Sequence, residues 1–457
     1  MSPELEMPRV SRPVFFVIGS TGSGKSKVAV HLAHELRRAH HYKNVVVINC
    51  DVYQCYADLP ILTNKPSAED LGGVAHVCLG FLSSDGSVKW DNNYSSSEQR
   101  AFCHEAEVHL SGNANLNVHS YERIVSSFIA GFFERHSDAA VIVCGGTCYY
   151  AQALIFADSL VYDTEPSSLY SHSDADVKNG LWERLHAVDA EVALRYHPND
   201  RRRIKRLLEI YDATGQAPST IFHAQTSNLR FDSHALFIVW VRMERNALDS
   251  LLNRRVDLML QRGMLDEVRE FWLKNDGKLP HNSLSEALGC KELSQIFSSD
   301  DSSLITSSDF ESAVTQIKSN TRRYARQQER WIRNRLLPLL HSSPLKGSPT
   351  HFVLLWTEEG VDTLPCVQNT LDTLLTASPV RPLAESLFPL KQQLGFRKPV
   401  CQEHCEICKT LVYGRGQMEL HLKSRRHRGS LRRLALENEH REKYGRELPP
   451  PKRKRDN

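Results

Sequence analysis

Val14-Phe15-Phe16-Val17-Ile18-Gly19-Ser20-Thr21-Gly22-Ser23-Gly24-Lys25-Ser26 is the stretch on which the fold turns. Five apolar residues stopped by a glycine read as a short buried strand. Gly19 to Ser26 then fits G-x-x-x-x-G-K-[ST], and Val28, Ala29, Leu32, Ala33 and Leu36 recur at helical spacing. A glycine-rich loop between strand and helix lets backbone N–H groups turn inward on phosphate oxygens. Lys25 neutralises those oxygens, Ser26 can hold Mg²⁺, and the helix dipole adds to the field.

Working outward, Val45–Ile48 is a second apolar strand and Ala139–Val143 a third, the latter reached through a helical stretch at Tyr121–His136. Strands alternating with helices predict an α/β fold with a parallel, doubly wound, P-loop NTPase-like sheet. The third strand ends in Cys144-Gly145-Gly146-Thr147 without a carboxylate, whereas the second ends in Asn49-Cys50-Asp51. That location suits Asp51 as a base acting on an acceptor rather than as a metal ligand. Further along, residues 165–225 turn helical and charged, with a basic face over Arg201–Arg206. A strand at Phe237–Val241 follows, then helices at Leu248–Leu260, Leu265–Trp272 and Phe310–Leu336.

The chain has 457 residues, 41% hydrophobic and 24% charged, which excludes disorder or a fibrous repeat as the main account. No apolar run approaches the roughly 18–20 residues of a membrane helix. Cys103, Cys144 and Cys290 sit singly in apolar surroundings, as reduced thiols do. The start lacks a signal core and an Arg-rich amphipathic face, so a cytosolic or nuclear location is the default, with mitochondrial entry left open. The net charge of +3 conceals two parts: residues 397–457 hold 17 Lys+Arg against 8 Asp+Glu, leaving 40 against 46 for the body. Such a tail suits nucleic acid.

With these residues in hand, the chain resembles the tRNA dimethylallyltransferases. The similarity runs in order through the phosphate loop, Ile48–Tyr56 with Leu62-Thr63-Asn64-Lys65-Pro66, Gly145–Tyr150, His197–Ile204 with Thr214-Gly215, Arg255–Met259 with Gly263–Val268, Ala287–Glu292 and Thr321–Gln328. It covers about residues 12–340. The resemblance implies transfer of a dimethylallyl group from its diphosphate to N6 of adenine 37, beside the anticodon, with no ATP consumed. It implies that Lys25, the loop residues Gly19, Ser20, Thr21, Gly22, Ser23, Gly24 and Ser26, and Mg²⁺ stabilise the leaving diphosphate. Thr147 is expected near its reacting oxygen, and Asp51 as general base. Asp51, Val52, Tyr53 and Gln54 are expected around the adenine, which must leave the anticodon stack. Val52, Leu251, Glu286 and the reduced Ala75-His76-Val77 block depart from the family pattern.

A helical period stacks Arg322, Arg326, Arg330 and Arg333 on one side, with Tyr324 and Trp331 as core on another. Arg255 and Arg322 are expected at the diphosphate, and Arg326, Arg201, Arg203 and Arg206 on the anticodon stem-loop.

Cys405-x2-Cys408-x12-His421-x5-His427 has the ligands and spacing of a structural Zn²⁺ site, with both histidines on one predicted helix. Its long final spacing resembles the matrin/U1-type fingers, which bind RNA. Pro451–Arg455 reads either as a nuclear signal or as a phosphate-binding tail.

The expected organisation is therefore a transferase core over 12–164 and 226–340, a helical tRNA-binding insertion over 165–225 and, over 341–396, a linker or peripheral segment that holds one apolar strand, Phe352–Trp356. A C2H2 finger over 397–435 and a basic tail over 436–457 follow, in a monomer without membrane segments. Two alternatives remain open at this stage: a P-loop kinase acting on a nucleoside or RNA end, and a non-catalytic tRNA-binding scaffold.

Overall fold

The computed structural model describes residues 10–90, 94, 96–110, 116–157, 159–160, 180–225, 228–280, 283–297, 307–342, 351–376, 402–408, 410–413 and 417–444. These fall into two compact units, residues 1–160 with 226–394 and residues 161–225 with 395–457.

In the first unit, β1 (Val14–Gly19), α1 (Lys25–Arg38) and β2 (Asn44–Asn49) form the expected strand–loop–helix–strand. A short β3 (Ala75–Val77), α2 (Ser97–His109), α3 (Val118–Arg135), β4 (Ala139–Gly145) and α4 (Cys148–Ile155) follow. The second unit opens with α5 (Leu181–Val188), α6 (Ala190–Ala193), α7 (Arg201–Thr214) and α8 (Pro218–Ala224), closed around Leu185, Val192, Ile204 and Leu208.

The chain returns to the first unit at β5 (Leu236–Met243) and continues through α9 (Arg245–Gln261), α10 (Met264–Lys274), α11 (Cys290–Phe297) and α12 (Ser307–Trp331). A π-helical turn at Ile332–Leu336 interrupts the long helix read from sequence, and α13 (Leu337–Ser342) completes it.

The six strands of this unit are all parallel, in the order β3-β2-β4-β1-β5-β6. The central strands β1 and β4 are buried at every position, which is why each reads as an unbroken apolar run rather than an alternating one. On one face Val28, Leu32 and Leu36 of α1 pack against Phe15, Val17 and Val239. On the other, α3, α4 and α9–α13 cover Phe16, Ile18 and Trp240.

The sixth strand, β6 (His351–Thr357), is the apolar strand read at Phe352–Trp356, and it pairs with β5 over seven positions. The rest of 341–396 reads as a linker or peripheral segment, yet α14 (Leu364–Thr376) buries Val367, Leu371 and Leu374 against α1. The surrounding Ser, Pro and Thr hid the place of this strand in the sheet, because its partner lies more than a hundred residues away. Residues 377–396, and the basic cluster at 451–455, lie outside the described residues.

Candidate functional site

Where β1 ends, Gly19 lies so close to β5 that an added Cβ would stand 2.3 Å from the carbonyl oxygen of Val241. Gly22 and Gly24 take φ of +81° and +82°, which glycine adopts at no steric cost. The chain thereby turns sharply enough to start α1 at Lys25. The Lys25 Nζ donates to the carbonyl oxygen of Ser20 at 2.7 Å, and the buried hydroxyls of Ser20 and Ser23 have no hydrogen-bond partner among the described residues. Buried hydroxyls in that condition suit a bound anion, which would supply the missing acceptors.

Across the crevice, β2 delivers Asp51. Asn49 fixes its backbone: the side-chain oxygen accepts from Asp51 N–H at 3.1 Å, and the amide nitrogen donates to the carbonyls of Asp51 (2.9 Å) and Cys78 (3.0 Å). Thr147 braces the next residue, its hydroxyl oxygen accepting from Val52 N–H at 3.1 Å, so its own hydrogen is left to donate. The loops after β2 and β4 touch so tightly that a Cβ on Gly145 would stand 2.1 Å from the carbonyl carbon of Cys50.

Gln328 on α12 joins the two sides. Its Oε1 accepts from Thr21 N–H and its Nε2 donates to the Gly146 carbonyl, each at 2.8 Å. From α9, Arg255 donates to the hydroxyl of Thr21 at 3.0 Å.

Thr21, Lys25, Ser26, Asp51, Gln54 and Arg255 line one cavity of about 710 Å³. Thr147, expected at the diphosphate, and Gln328 do not line it; Gln328 acts on Thr21 and Gly146, which do, and Thr147 on Val52 beside Asp51. Burial shapes the electrostatics of the cavity. Desolvation pushes the Asp51 carboxyl above the usual carboxylate range, with Lys25 as the main opposing influence, and pulls the Lys25 ammonium below its ordinary value, with Asp51 among the charges opposing that. Burial thus disfavours the charged form of each group, and the opposite charge across the cavity works against that. The Cys144 thiol beside them is pushed up to about 12 by burial and stays neutral.

Gln54 lines the cavity, but its amide nitrogen is committed to the carbonyls of Thr63 (3.3 Å) and Asn64 (3.0 Å), so only its oxygen is left to meet a base. Tyr53 donates to the Glu286 carbonyl at 3.3 Å. The same segment is held by two residues that sequence reasoning missed as site scaffold. The Glu267 carboxylate accepts from the N–H groups of Ile61 and Leu62, both at 2.8 Å. Lys65, pulled down to about 8 by burial, donates to Thr63 and to the Asp58 carbonyl. Only the G-M-L-D-E-V and T-N-K-P blocks hinted at these two.

The arginines divide. Arg255 belongs to the cavity. Arg322 and Arg326, by contrast, turn to α9, where Arg322 bonds Asn253 and Arg326 pairs with Asp249 at 2.8 Å; neither lines the cavity. The part of this side that holds Arg322 and Arg326 lies along α9, while Arg330 and Arg333 further on are exposed. Tyr324, expected in the core, is instead half-buried near Asp51, Tyr53 and Gln328, whereas Trp331 packs against the core as expected and donates to Gln152 at 3.2 Å. In the second unit, Arg201 and Arg203 are exposed on α7, Arg203 pairing with Asp200 at 2.7 Å, and the half-buried Arg206 lies 3.5 Å from Glu209.

The second unit also carries the candidate metal centre. β7 (Gln402–Cys405) and β8 (Thr410–Tyr413) form an antiparallel hairpin, followed by α15 (Gln417–Leu422) and α16 (Arg425–Tyr444). Cys405, Cys408, His421 and His427 bring their ligand atoms within 4.8 Å of one another, and the buried His421 Nε2 has no hydrogen-bond partner among the described residues. Two thiols and two imidazoles so placed match the preferred ligands and tetrahedral number of Zn²⁺. The single helix expected for both histidines is instead broken at Lys423–Ser424. Ser424 Oγ accepts from His427 N–H at 3.1 Å, restarting the helix at an angle that returns His427 to the cysteines.

Residues 91–335 match the profile of the IPP transferases, residues 404–427 that of a C2H2-type zinc finger, and residues 4–69, around the phosphate loop, that of the Zeta toxins. The chain is similar to the tRNA dimethylallyltransferase of Saccharomyces cerevisiae (28% identity, covering 93% of each chain) and to that of Homo sapiens (26%, covering 92% of this chain and 86% of the relative). The Bacillus subtilis tRNA dimethylallyltransferase is 27% identical over 72% of this chain and 90% of its own length. A crystal structure of a eukaryotic dimethylallyltransferase acting on tRNA shares the fold, with a TM-score of 0.69 at 24% identity over 96% of this chain and all of that one.

Proposed function

The chain belongs to the IPP transferase family, and on that premise we propose that it transfers a dimethylallyl group from dimethylallyl diphosphate to N6 of adenine 37 in tRNA. The observation that carries this reading is the single cavity in which a phosphate-binding loop, Lys25 and Arg255 face the half-buried carboxyl of Asp51. An anion held at one wall and a proton acceptor at the other are what substitution at an allylic carbon requires. The carbon–oxygen bond to the diphosphate breaks as the N6–carbon bond forms, the diphosphate leaves with its negative charge, and the adenine amine loses a proton. The loop amides, Lys25 and Arg255 stabilise the departing anion, and Thr147 braces the backbone beside Asp51 through Val52 N–H. Asp51 takes the proton, an efficient role for a carboxyl that burial has made more basic than usual. Mg²⁺ would be held by the Ser26 hydroxyl and by substrate oxygens, a sparse protein ligand set typical of that ion, and would neutralise further charge.

The exposed arginines of α7 and the basic finger helix α16 support binding of the anticodon stem-loop by phosphate neutralisation. A monomeric state belongs to the same proposal, as does a cytosolic or nuclear location, the latter supported by ten cysteines outside disulfides among the described residues. Light scattering and imaging of a tagged chain with and without residues 451–455 check these two points.

The central test is incubation of purified protein with labelled dimethylallyl diphosphate and a tRNA carrying adenines at 36, 37 and 38, without ATP. Label enters RNA with the wild type and not with Asp51→Ala. A wild-type chain that binds tRNA but transfers no label would overturn the reading, and labelling from ATP in its place would make the chain a kinase.

A further inference from the structure

Thr357 closes β6 where that strand meets the phosphate-binding loop. Its side chain is 4% exposed, and its hydroxyl lies 2.9 Å from the carbonyl oxygen of Ser23 and 3.1 Å from that of Arg242 on β5. The hydroxyl has one hydrogen to donate, and the nearer acceptor is on the loop. Its methyl stands 3.8 Å from where a Cβ of Gly24 would lie, filling the space behind that residue. Six residues on, the Thr363 hydroxyl is 3.0 Å from His31 Nδ1 of α1. Thr357 itself does not line the cavity; Gly24 and Lys25 do.

The consequence follows from peptide geometry. Ser23 C=O and Gly24 N–H belong to one planar trans peptide, in which the two bonds point in opposite directions. A hydroxyl that fixes the Ser23 carbonyl on the β6 side therefore aims the Gly24 N–H the other way. We propose that Thr357 is a positioning residue for the diphosphate, and that residues 351–376 form the backing that sets the orientation of the phosphate-binding loop. The proposal rests on the diphosphate reading above and adds to it a residue 334 positions from its loop partner, beyond the stretch that matches the family profile.

The test compares Thr357→Val, which keeps the shape and removes the hydroxyl, with Thr357→Ser, which keeps the hydroxyl. Binding of inorganic pyrophosphate with Mg²⁺ is measured by calorimetry, alongside KM for dimethylallyl diphosphate, kcat, and tRNA affinity in the absence of diphosphate. The peripheral phosphate oxygens carry charge before transfer as well as after it, and only the bridging oxygen gains charge as the bond to carbon breaks. A misaimed amide that meets a peripheral oxygen therefore weakens binding throughout rather than the chemical step alone. The Val variant should lose about tenfold in pyrophosphate affinity and raise the diphosphate KM by a similar factor, as for one hydrogen bond to a charged group. Its kcat and tRNA affinity should stay at wild-type levels, and the Ser variant should match wild type. Should valine crowd the site, Thr357→Ala removes the hydroxyl without adding bulk and is expected to lose the same affinity. Wild-type pyrophosphate affinity in the Val or Ala variant would overturn the proposal. So would equal losses in Ser and Val, which would mean packing rather than hydrogen bonding. Failure of the underlying reading looks different: the wild type itself would bind no pyrophosphate.

Discussion

Replacing Gly145 by alanine tests the crossing of the loops after β2 and β4. The added Cβ would fall 2.1 Å from both the carbonyl carbon and the oxygen of Cys50, where ordinary contact begins at 3.4 Å. The two backbones must therefore part by about 1.3 Å. Neither side can yield by rotating a side chain, because both clashing atoms are backbone. Cys50 N–H bonds the Cys144 carbonyl at 2.8 Å and Thr147 N–H bonds the Cys50 carbonyl at 3.0 Å, so the strain passes directly to the residues flanking Asp51 and Thr147. A misplacement of about 1 Å in a reacting constellation costs on the order of a hundredfold in rate. Single-turnover transfer to an anticodon stem-loop, with saturating diphosphate, should therefore slow about a hundredfold. Pyrophosphate binding should change little, since the phosphate loop is built on β1 and α1. Thermal unfolding monitored in parallel separates local displacement from global loss of structure. A folded Gly145→Ala enzyme with the wild-type single-turnover rate would refute the reasoning, because it would mean that Asp51 tolerates the shift or takes no part in the step.

Two further outcomes are expected. Asp51→Asn should reduce transfer by roughly 10²–10⁴-fold. Because burial raises the Asp51 carboxyl, the wild-type rate should fall as pH drops through a value above the ordinary carboxylate range, and a pH–rate profile of the variant should lack that limb. The sign for stability is opposite: a carboxyl raised in the fold destabilises it above that pKa, so the Asn variant should unfold at an equal or higher temperature at neutral pH. Removing zinc by chelation, or substituting Cys405→Ser, should abolish the finger's metal content and weaken tRNA binding, while leaving pyrophosphate affinity at the wild-type value; unchanged tRNA affinity would show that the finger serves another partner.

The elements that sequence reading located share a property: their signal is local. The apolar run of β1, the glycines and lysine after it, and the helical spacing of α1 lie within twenty-five residues of one another. Asp51 was legible because it ends a strand, and the finger because its four ligands have diagnostic spacing. What stayed hidden depends on distant partners. Gln328 is one polar residue among several on α12, and only its bonds to Thr21 and Gly146 reveal its position between the two halves of the site. Glu267 reads as an acidic residue in the first turn of a helix until it is seen capping Ile61 and Leu62. Arg322 and Arg326 show the converse: helical periodicity put them on one face, but periodicity cannot say whether that face meets a ligand or α9.

The placement of β6 bears on how the protein is made. The phosphate loop leaves the ribosome early in synthesis, yet the sheet beneath it stays one strand short, and the Ser23 carbonyl lacks its hydroxyl, until Thr357 has been added. Domains take shape as chains emerge, but pairings of such long sequence separation must wait for both ends. A nascent or truncated chain ending near residue 340 would carry every element of the family match without the support behind its loop, so pyrophosphate would protect the full chain from proteolysis more than it protects such a fragment.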